Sequence, residues 1–210
     1  MMTDQVWWYT ARAGGIVAWA LMGLGVLWGL ALSTKVTGRR PRPNWILDLH
    51  RFLGGLALVF TGVHVAAIVA DSYVHFGLTE VLVPFTGSWH PVAVAWGIIG
   101  AYLLVAVEIT SLLRRHLSKR VWRATHFLSF PLFALTTVHA LSAGTDAGNV
   151  VWRLAIGAVV IAVTVLTFIR IQGTSKDGRA PRVPRGARTA VARGGARPAT
   201  TSDSDLVLSR

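Results

Sequence analysis

The chain has 210 residues, of which 53% are hydrophobic and only 14% are charged. A soluble domain carries roughly 25% charged residues, so this composition excludes an ordinary soluble core. The absence of cysteine excludes disulfides, thiolate metal sites, cysteine-ligated iron–sulfur clusters and haem attached through cysteine. Histidine, which occurs seven times, is then the main remaining soft metal ligand.

Five apolar runs follow one another along the chain, each close to the ~20 residues that a helix needs to cross a bilayer. Only helices and closed barrels span lipid, and these runs are too long and too uniformly apolar for barrel strands. The sequence therefore predicts an all-α membrane protein, a five-transmembrane-helix bundle, in residues 1–172. The predicted spans cover residues 13–33, 46–70, 92–113, 121–143 and 150–169.

The basic residues predict the direction of the bundle. All but two of the 21 lysines and arginines, Arg12 and Arg153, fall on one side of the predicted spans. Cytoplasmic segments carry such an excess. We therefore expect a multi-pass protein of a cell membrane, of the bacterial plasma membrane in particular. Its N-terminus would lie outside and its C-terminus in the cytoplasm. The formal net charge of +12 then reports topology, and no nucleic-acid partner is expected.

Residues 173–210 differ in composition from the rest of the chain. They are rich in Gly, Pro, Arg and Ser and show no hydrophobic periodicity, which is typical of disordered segments. The sequence predicts a disordered basic cytoplasmic tail. Its role is either topological or an attraction to anionic lipid.

Four histidines lie inside the predicted spans, as two pairs. His50 and His64 are 14 residues apart in the second span, and His126 and His139 are 13 apart in the fourth. These separations are about 21 Å and about 20 Å along a helix axis. Because one span separates the two helices, they run in the same direction. His50 then lies level with His126 near the inner surface, and His64 with His139 near the outer surface.

This arrangement suits haem. Neutral imidazole is a good iron ligand. Two axial histidines fill both free positions of haem iron, which favours electron transfer over oxygen chemistry. We therefore expect the four histidines to hold two b-type haems stacked across the bilayer.

The helical rotation between the histidines supports one half of this prediction. Fourteen residues at 100° each leave an offset near −40°, so His50 and His64 share a face. Thirteen residues leave an offset near 220°, so His126 and His139 do not share a face on an ideal helix. A kink or π-bulge at Pro131 could turn His139 back towards the bundle. Without it only the inner haem is held, so the number of haems is two or one.

Charged residues near the histidines have two interpretations each. Haem propionates at the inner surface need cationic partners, and Arg51 and Arg123 lie beside His50 and His126 in the sequence. Anchoring of the helix ends at the cytoplasmic surface explains both arginines equally well. Glu108, the one acid in the predicted spans apart from Asp48 at the start of the second, is either an interfacial carboxylate or part of a proton path.

The segments DLHRFLGGLALVFTGVH (48–64) and WRATHFLSFPLFALTTVH (122–139) resemble the ferric reductase-like transmembrane domain. That superfamily includes ferric reductases, the membrane part of NADPH oxidases and the haem-binding subunit of the bacterial methionine sulfoxide reductase system. Its pattern is two helices with two histidines each, at the spacings found here. The resemblance covers about residues 15–170. It implies that His50 pairs with His126 and His64 with His139.

The chain departs from complete reductases, which continue into flavin- and nicotinamide-binding domains. About 40 residues follow the fifth span, too few for such a domain, and no GxGxxG follows a strand. We therefore expect an electron-transfer component that uses haem b. It would take electrons from a cytoplasmic flavoprotein or quinol and pass them to an external oxidoreductase or ferric iron.

Three alternatives stay open. The chain could be the haem-binding subunit of a methionine sulfoxide reductase-like system. In a different class of function, the histidines and Glu108 could line a non-redox pathway for protons or metal ions. The chain could also be a structural membrane partner that binds no cofactor.

Overall fold

The computed structural model describes residues 2–34, 44–71 and 76–177. Within these residues the chain forms seven α-helices and one short 3-10 helix, and no strand. Most of the predicted tail, and the link between the first two spans, lie outside the described residues. The helices are α1 (Met2–Thr34), α2 (Asn44–Ala70), α3 (Leu78–Leu82), α4 (Pro91–Leu112), α5 (Lys119–Phe127), α6 (Ser129–Ser142) and α7 (Val150–Asp177), with the 3-10 helix at Thr145–Gly148.

Five helical segments in the described part of the chain are long and apolar enough to cross a membrane. The prediction of an all-α protein with five spans is confirmed, and the chain is a multi-pass membrane protein. The orientation of its termini and the division at residue 172 stay predictions. The segments are Gln5–Ser33, Asn44–Ala70, Pro91–Leu112, Lys119–Ser142 and Val150–Gln172.

Polar caps begin two of the later helices. The hydroxyl of Ser118 accepts a hydrogen bond from the backbone N–H of Val121 at 3.3 Å at the start of α5. The side-chain oxygen of Asn149 accepts from the N–H groups of Val151 and Trp152 at 2.9 and 3.3 Å at the start of α7. Such caps satisfy N–H groups that have no partner within the helix. They set where the fourth and fifth spans begin.

The fourth span is interrupted between α5 and α6. Pro131 has no N–H, and its ring clashes with the carbonyl four residues earlier, that of Phe127. The helix stops at Phe127 and resumes at Ser129. At the break, the N–H of Leu128 bonds the carbonyl of Thr125, three residues back, at 3.0 Å. The structure therefore shows a break with a tightened turn near Pro131, and the predicted turning of His139 by Pro131 stays a prediction.

Four of the spans surround a gap. α1 packs along α2, α4 packs along α6, α1 also contacts α6, and α4 contacts α2 and α5. No comparable contact joins α2 to α5 or α6 among the described residues. α1 and α4 therefore hold the two histidine-bearing segments apart, facing each other across the gap.

The apolar core lies to one side of this gap. It joins α1, α6 and α7 through buried side chains that include Leu30, Phe133 and Ile156. Trp19 of α1 stacks against Phe133 with ring centres 5.9 Å apart, and its indole N–H donates to the hydroxyl of Thr137 at 2.9 Å. This buried hydrogen bond fixes the register of α1 against α6.

An ion pair ties the start of α1 to the loop before α7. Nε of Arg12 donates to Asp146 at 2.6 Å, and a second guanidinium nitrogen bonds the other carboxylate oxygen. The guanidinium also lies over the ring of Trp8. A two-point arginine–carboxylate pair is both directional and strong.

We expect Asp146→Asn to lower the apparent unfolding temperature in detergent by a few degrees, because it leaves Arg12 without its anion. The matched control is Asp48→Asn, which breaks the exposed pair between Asp48 and Arg51, a kind of pair that contributes little. Equal losses in the two variants, measured by thermal unfolding, would contradict a special role for the Arg12 pair.

Candidate functional site

The four intramembrane histidines meet as two pairs across the gap. The ring centres of His50 and His126 are 5.9 Å apart, with ring planes at 74°. Those of His64 and His139 are 6.3 Å apart, with planes at 78°. This is the pairing that the family resemblance implies. The fourth span is broken before Pro131, and in this structure His139 lies opposite His64.

The separation within each pair matches two imidazoles on opposite sides of one metal ion. An imidazole nitrogen binds a metal at about 2.0–2.1 Å and lies about 1.2 Å from its ring centre, so the two centres are then about 6.5 Å apart. The observed separations of 5.9 and 6.3 Å are slightly shorter than this value. No cluster of three or more His, Cys, Asp or Glu side chains that could hold a metal ion occurs among the described residues, so each pair offers two protein ligands.

The second pair is held by backbone carbonyls of the flanking helices. Nδ1 of His64 lies 2.6 Å from the carbonyl oxygen of Ala11 on α1. Nδ1 of His139 lies 2.8 Å from that of Ala93 on α4. A carbonyl can only accept, so Nδ1 carries the proton in each contact and Nε2 keeps a lone pair. Metal-binding histidines are usually oriented by this kind of hydrogen bond.

Glycines allow these rings to approach the flanking helices. A Cβ atom at Gly15 would lie 2.9 Å from Nδ1 of His64, and one at Gly97 would lie 2.7 Å from Cε1 of His139. Gly15 and Gly97 each follow, by four residues, the alanine whose carbonyl the ring contacts. A side chain at that position would cover the carbonyl, so glycine keeps it accessible.

His50 has a similar but looser support. Its ring lies against Gly29 of α1, where a Cβ would be 3.3 Å from Cε1, and it faces the carbonyl of Gly25. Its Nδ1 is nevertheless buried without a partner of hydrogen-bonding geometry in the described structure. Gly25 and Gly29 repeat the four-residue spacing seen beneath the other two rings.

These supports were missed from the sequence, although a signal was present. Gly15 and Gly29 are 14 residues apart, the same spacing as His50 and His64 on the adjacent antiparallel helix. Within residues 1–172 the pattern Ala-x-Ala-x-Gly also occurs twice, at 11–15 and 93–97, directly at the two carbonyl supports. Small residues are common in membrane helices for packing alone, so the signal only becomes specific when it is aligned with the histidines.

His126 has a different environment. Trp122, one turn earlier on α5, stacks on its ring with centres 5.1 Å apart and planes at 20°. The guanidinium carbon of Arg114 lies 4.4 Å from the centre of the Trp122 ring. Nδ1 of His126 and the indole nitrogen of Trp122 are buried without hydrogen-bond partners in the described structure. Trp122 and Arg114 were not among the site residues predicted from the sequence.

The predicted cationic residues lie on the surface. Arg51 is 60% exposed and pairs with Asp48 at 3.1 Å. Arg123 is also exposed. The structure does not bring either arginine into contact with the ring of a paired histidine. Their role as partners of a propionate stays a prediction.

Glu108 lies between α2 and α4. Its carboxylate sits where a side chain at Gly54 would be, one turn along α2 from His50. A larger residue at Gly54 would displace the carboxylate, so glycine allows Glu108 to lie against α2. The structure thus places the one predicted intramembrane acid next to the helix that carries His50.

A cleft opens beside the second pair. It has a volume of about 350 Å³ and is lined by residues of α4 and α6 that include His90, Ala93, Trp96, Val138 and Ser142. Ala93 is the residue whose carbonyl contacts His139. The cleft is therefore lined by Val138, the residue next to His139 in the chain, and by Ala93, which contacts the His139 ring.

The fold and the two pairs define a class of protein, a multi-pass helical membrane protein with paired histidines inside the bundle. The family model described as "Ferric reductase like transmembrane component" matches residues 14–137, and the chain belongs to that family. The match contains His50, His64 and His126 and ends two residues before His139. Members of the family generally bind haem, and the family suggests membrane electron transfer. No curated protein and no solved structure gives a significant match.

Proposed function

We propose that the chain is a membrane electron-transfer component whose two histidine pairs each hold one b-type haem. The observation that carries the proposal is the pair of facing imidazole rings, twice repeated, at a separation that suits one metal ion. A chance contact of polar side chains would account for one such pair, because polar residues in membranes gather inside the bundle. It does not account for two pairs with the same separation.

Haem b supplies reversible one-electron chemistry when it is bound. The paired histidines would hold the haems through ring nitrogens, and the carbonyls of Ala11 and Ala93 fix the tautomer of His64 and His139. Because α1 and α4 rather than each other are the main neighbours of α2 and α6, the haems would lie between α2 and α6. Apolar walls of this kind exclude water and strengthen the electrostatic effect of nearby charges.

We further propose a direction for the electrons. They enter near His50 and His126 from a cytoplasmic flavoprotein or quinol, and they leave near His64 and His139 to an external oxidoreductase or ferric iron. The distribution of basic residues supports this orientation, in a bacterial type of cell membrane. The cleft beside His139 supports an exit for electrons at that end.

A haem-binding subunit of a methionine sulfoxide reductase-like system is the alternative within the same class. Reduction of the haems by a purified flavoprotein or by quinol would identify the donor. Reoxidation by ferric chelate, compared with reoxidation by a partner oxidoreductase, would then separate a ferric reductase-like component from such a subunit.

The proposal predicts two b-type haems per chain. Detergent-purified protein is expected to show a dithionite-reduced minus oxidised absorption spectrum with b-type bands and a stoichiometry near two. His126→Ala and His64→Ala should each lose about half of the signal, because each removes an axial ligand from a different pair. The exposed residue His116 provides the control variant, His116→Ala, which should keep both haems.

Other outcomes have definite meanings. Protein without haem that moves protons or metal ions in liposomes would replace this proposal with the ion-pathway alternative. A single haem that is lost only in His126→Ala would restrict the proposal to the first pair.

A further inference from the structure

One of the four paired histidines lacks a support from a flanking helix. His50, His64 and His139 each lie against a glycine of α1 or α4. His126 has no glycine of this kind within the described residues, and its Nδ1 has no partner there. Its ring is instead in contact with Trp122, at a centre-to-centre distance of 5.1 Å.

The geometry of this contact is set by α5. Trp122 and His126 are four residues apart, so their side chains lie one above the other on the same helical face. The cap at Ser118 fixes where this helix begins. Because the two planes differ by only 20°, rotation of the imidazole would bring its edge into the indole face. Trp122 therefore restricts the orientation of the His126 ring.

Arg114 contacts the same indole ring. Its guanidinium lies 4.4 Å from the centre of the Trp122 ring, within the range of a cation–π contact. Arg114 and Arg170 both lie close enough to act electrostatically on His126, but Arg114 is the one seen in contact with the indole. Its positive charge is thereby held at a defined place near the His50/His126 pair.

We propose that Trp122 and Arg114 are positioning residues of the His50/His126 site: Trp122 orients the imidazole of His126, and Arg114 holds Trp122 and supplies a fixed positive charge. The inference rests on the proposed function and deepens it. A nearby positive charge disfavours the ferric state, which carries one more positive charge than the ferrous state. Arg114 thus raises the reduction potential of the group bound at this pair and leaves the other pair, about 20 Å away along the helix, nearly unaffected.

The test is a redox titration of the purified full chain, followed by absorption, on Arg114→Gln. One of the two haem components should shift to a lower potential, with at least a threefold change in its ratio of ferric to ferrous form at fixed potential, about 28 mV for a one-electron couple. Arg114→Lys keeps the charge and should restore most of the shift. Arg115→Gln removes the same charge from a neighbouring position that is exposed like that of Arg114, and it should shift the potential much less because the contact with the Trp122 ring is made by Arg114.

The second variant tests the orientation of the ring. Trp122→Leu should change the low-spin ferric electron paramagnetic resonance signal of one haem only, because that signal depends on the angle between the two imidazole planes. Trp122→Phe keeps an aromatic face and should retain the parent signal. A parent-like signal in Trp122→Leu would overturn the orienting role.

The outcomes separate this inference from the proposed function. Parent protein without haem would overturn both. Parent haem content in Arg114→Gln, with both potentials unchanged or with an equal shift in Arg115→Gln, would overturn the role of Arg114 alone and leave the proposed function standing.

Discussion

Gly97→Ala is expected to remove the haem of the His64/His139 pair while the other haem stays bound. The new methyl group would lie 2.7 Å from the imidazole of His139, closer than nonbonded carbon atoms approach. The ring cannot simply move away, because its Nδ1 contacts the carbonyl of Ala93 one turn earlier. The reduced-minus-oxidised signal should fall by about half, as in His64→Ala.

A nearby glycine of α4 provides a matched control. A Cβ atom at Gly100 would lie 2.8 Å from a methyl group of Thr136, so Gly100→Ala crowds the same α4–α6 contact without touching a histidine. We expect it to lower thermal stability and to keep both haems. Equal haem loss in the two variants would show that helix packing, rather than the support of the ring, is what Gly97 provides.

The same logic applies to Gly15 beneath His64. Gly15→Ala should resemble Gly97→Ala, because both glycines lie under rings of the same pair. Gly157→Ala, at a position on α7 where a Cβ has no atom within 4 Å, should leave haem content unchanged.

Pro131→Ala is expected to abolish the same haem by a different route. Alanine has an N–H that can bond the carbonyl of Phe127, and it removes the ring that clashes with that carbonyl. α5 and α6 can then join into one helix, in which His126 and His139 are offset by near 220°. His139 would turn away from the gap, and haem-to-protein stoichiometry should fall from about two to about one.

The comparison for this variant is Pro91→Ala. Pro91 is the first residue of α4, where a missing N–H costs no helical hydrogen bond. Haem content should therefore not change in Pro91→Ala. If Pro131→Ala retained both haems with parent spectra, the break at Leu128 would be maintained by tertiary packing and not by the proline.

The two pairs differ in how firmly their ligands are oriented. His64 and His139 both contact carbonyls, whereas the Nδ1 atoms of His50 and His126 have no partner in the described structure. A buried donor or acceptor left without a partner costs about 1–3 kcal/mol. The sequence raised doubt about the second pair because of its 13-residue spacing. The structure shows that this pair has the more complete set of supporting contacts.

Some of the site could be predicted because it depends on local periodicity. The positions of His50 and His64 on one helical face follow from 14 residues at 100° each. Their levels relative to His126 and His139 follow from the number of intervening spans. The supports under the rings could not be predicted in this way, because Gly15, Gly29 and Gly97 are on other helices and their register depends on packing.

The choice of cationic residue shows the same limit. Sequence proximity favoured Arg51 and Arg123, which are adjacent to His50 or one turn from His126. All three arginines are exposed, and among the described residues it is Arg114, 12 residues before His126, that lies over the ring of Trp122. The loop between α4 and α5 turns the chain back on itself, and this contact is invisible in a linear pattern.

The sequence by itself determined that the chain has five apolar helices and that four histidines lie within two of them. Lipid offers no hydrogen bonds to the backbone, so long apolar segments must be helical wherever they pack. Only the tertiary structure decided which side chains face the gap, that His139 lies opposite His64, and which carbonyls and rings contact each imidazole. These features depend on contacts between helices, and in a membrane such contacts are selected by the fit of small residues and not by hydrophobicity.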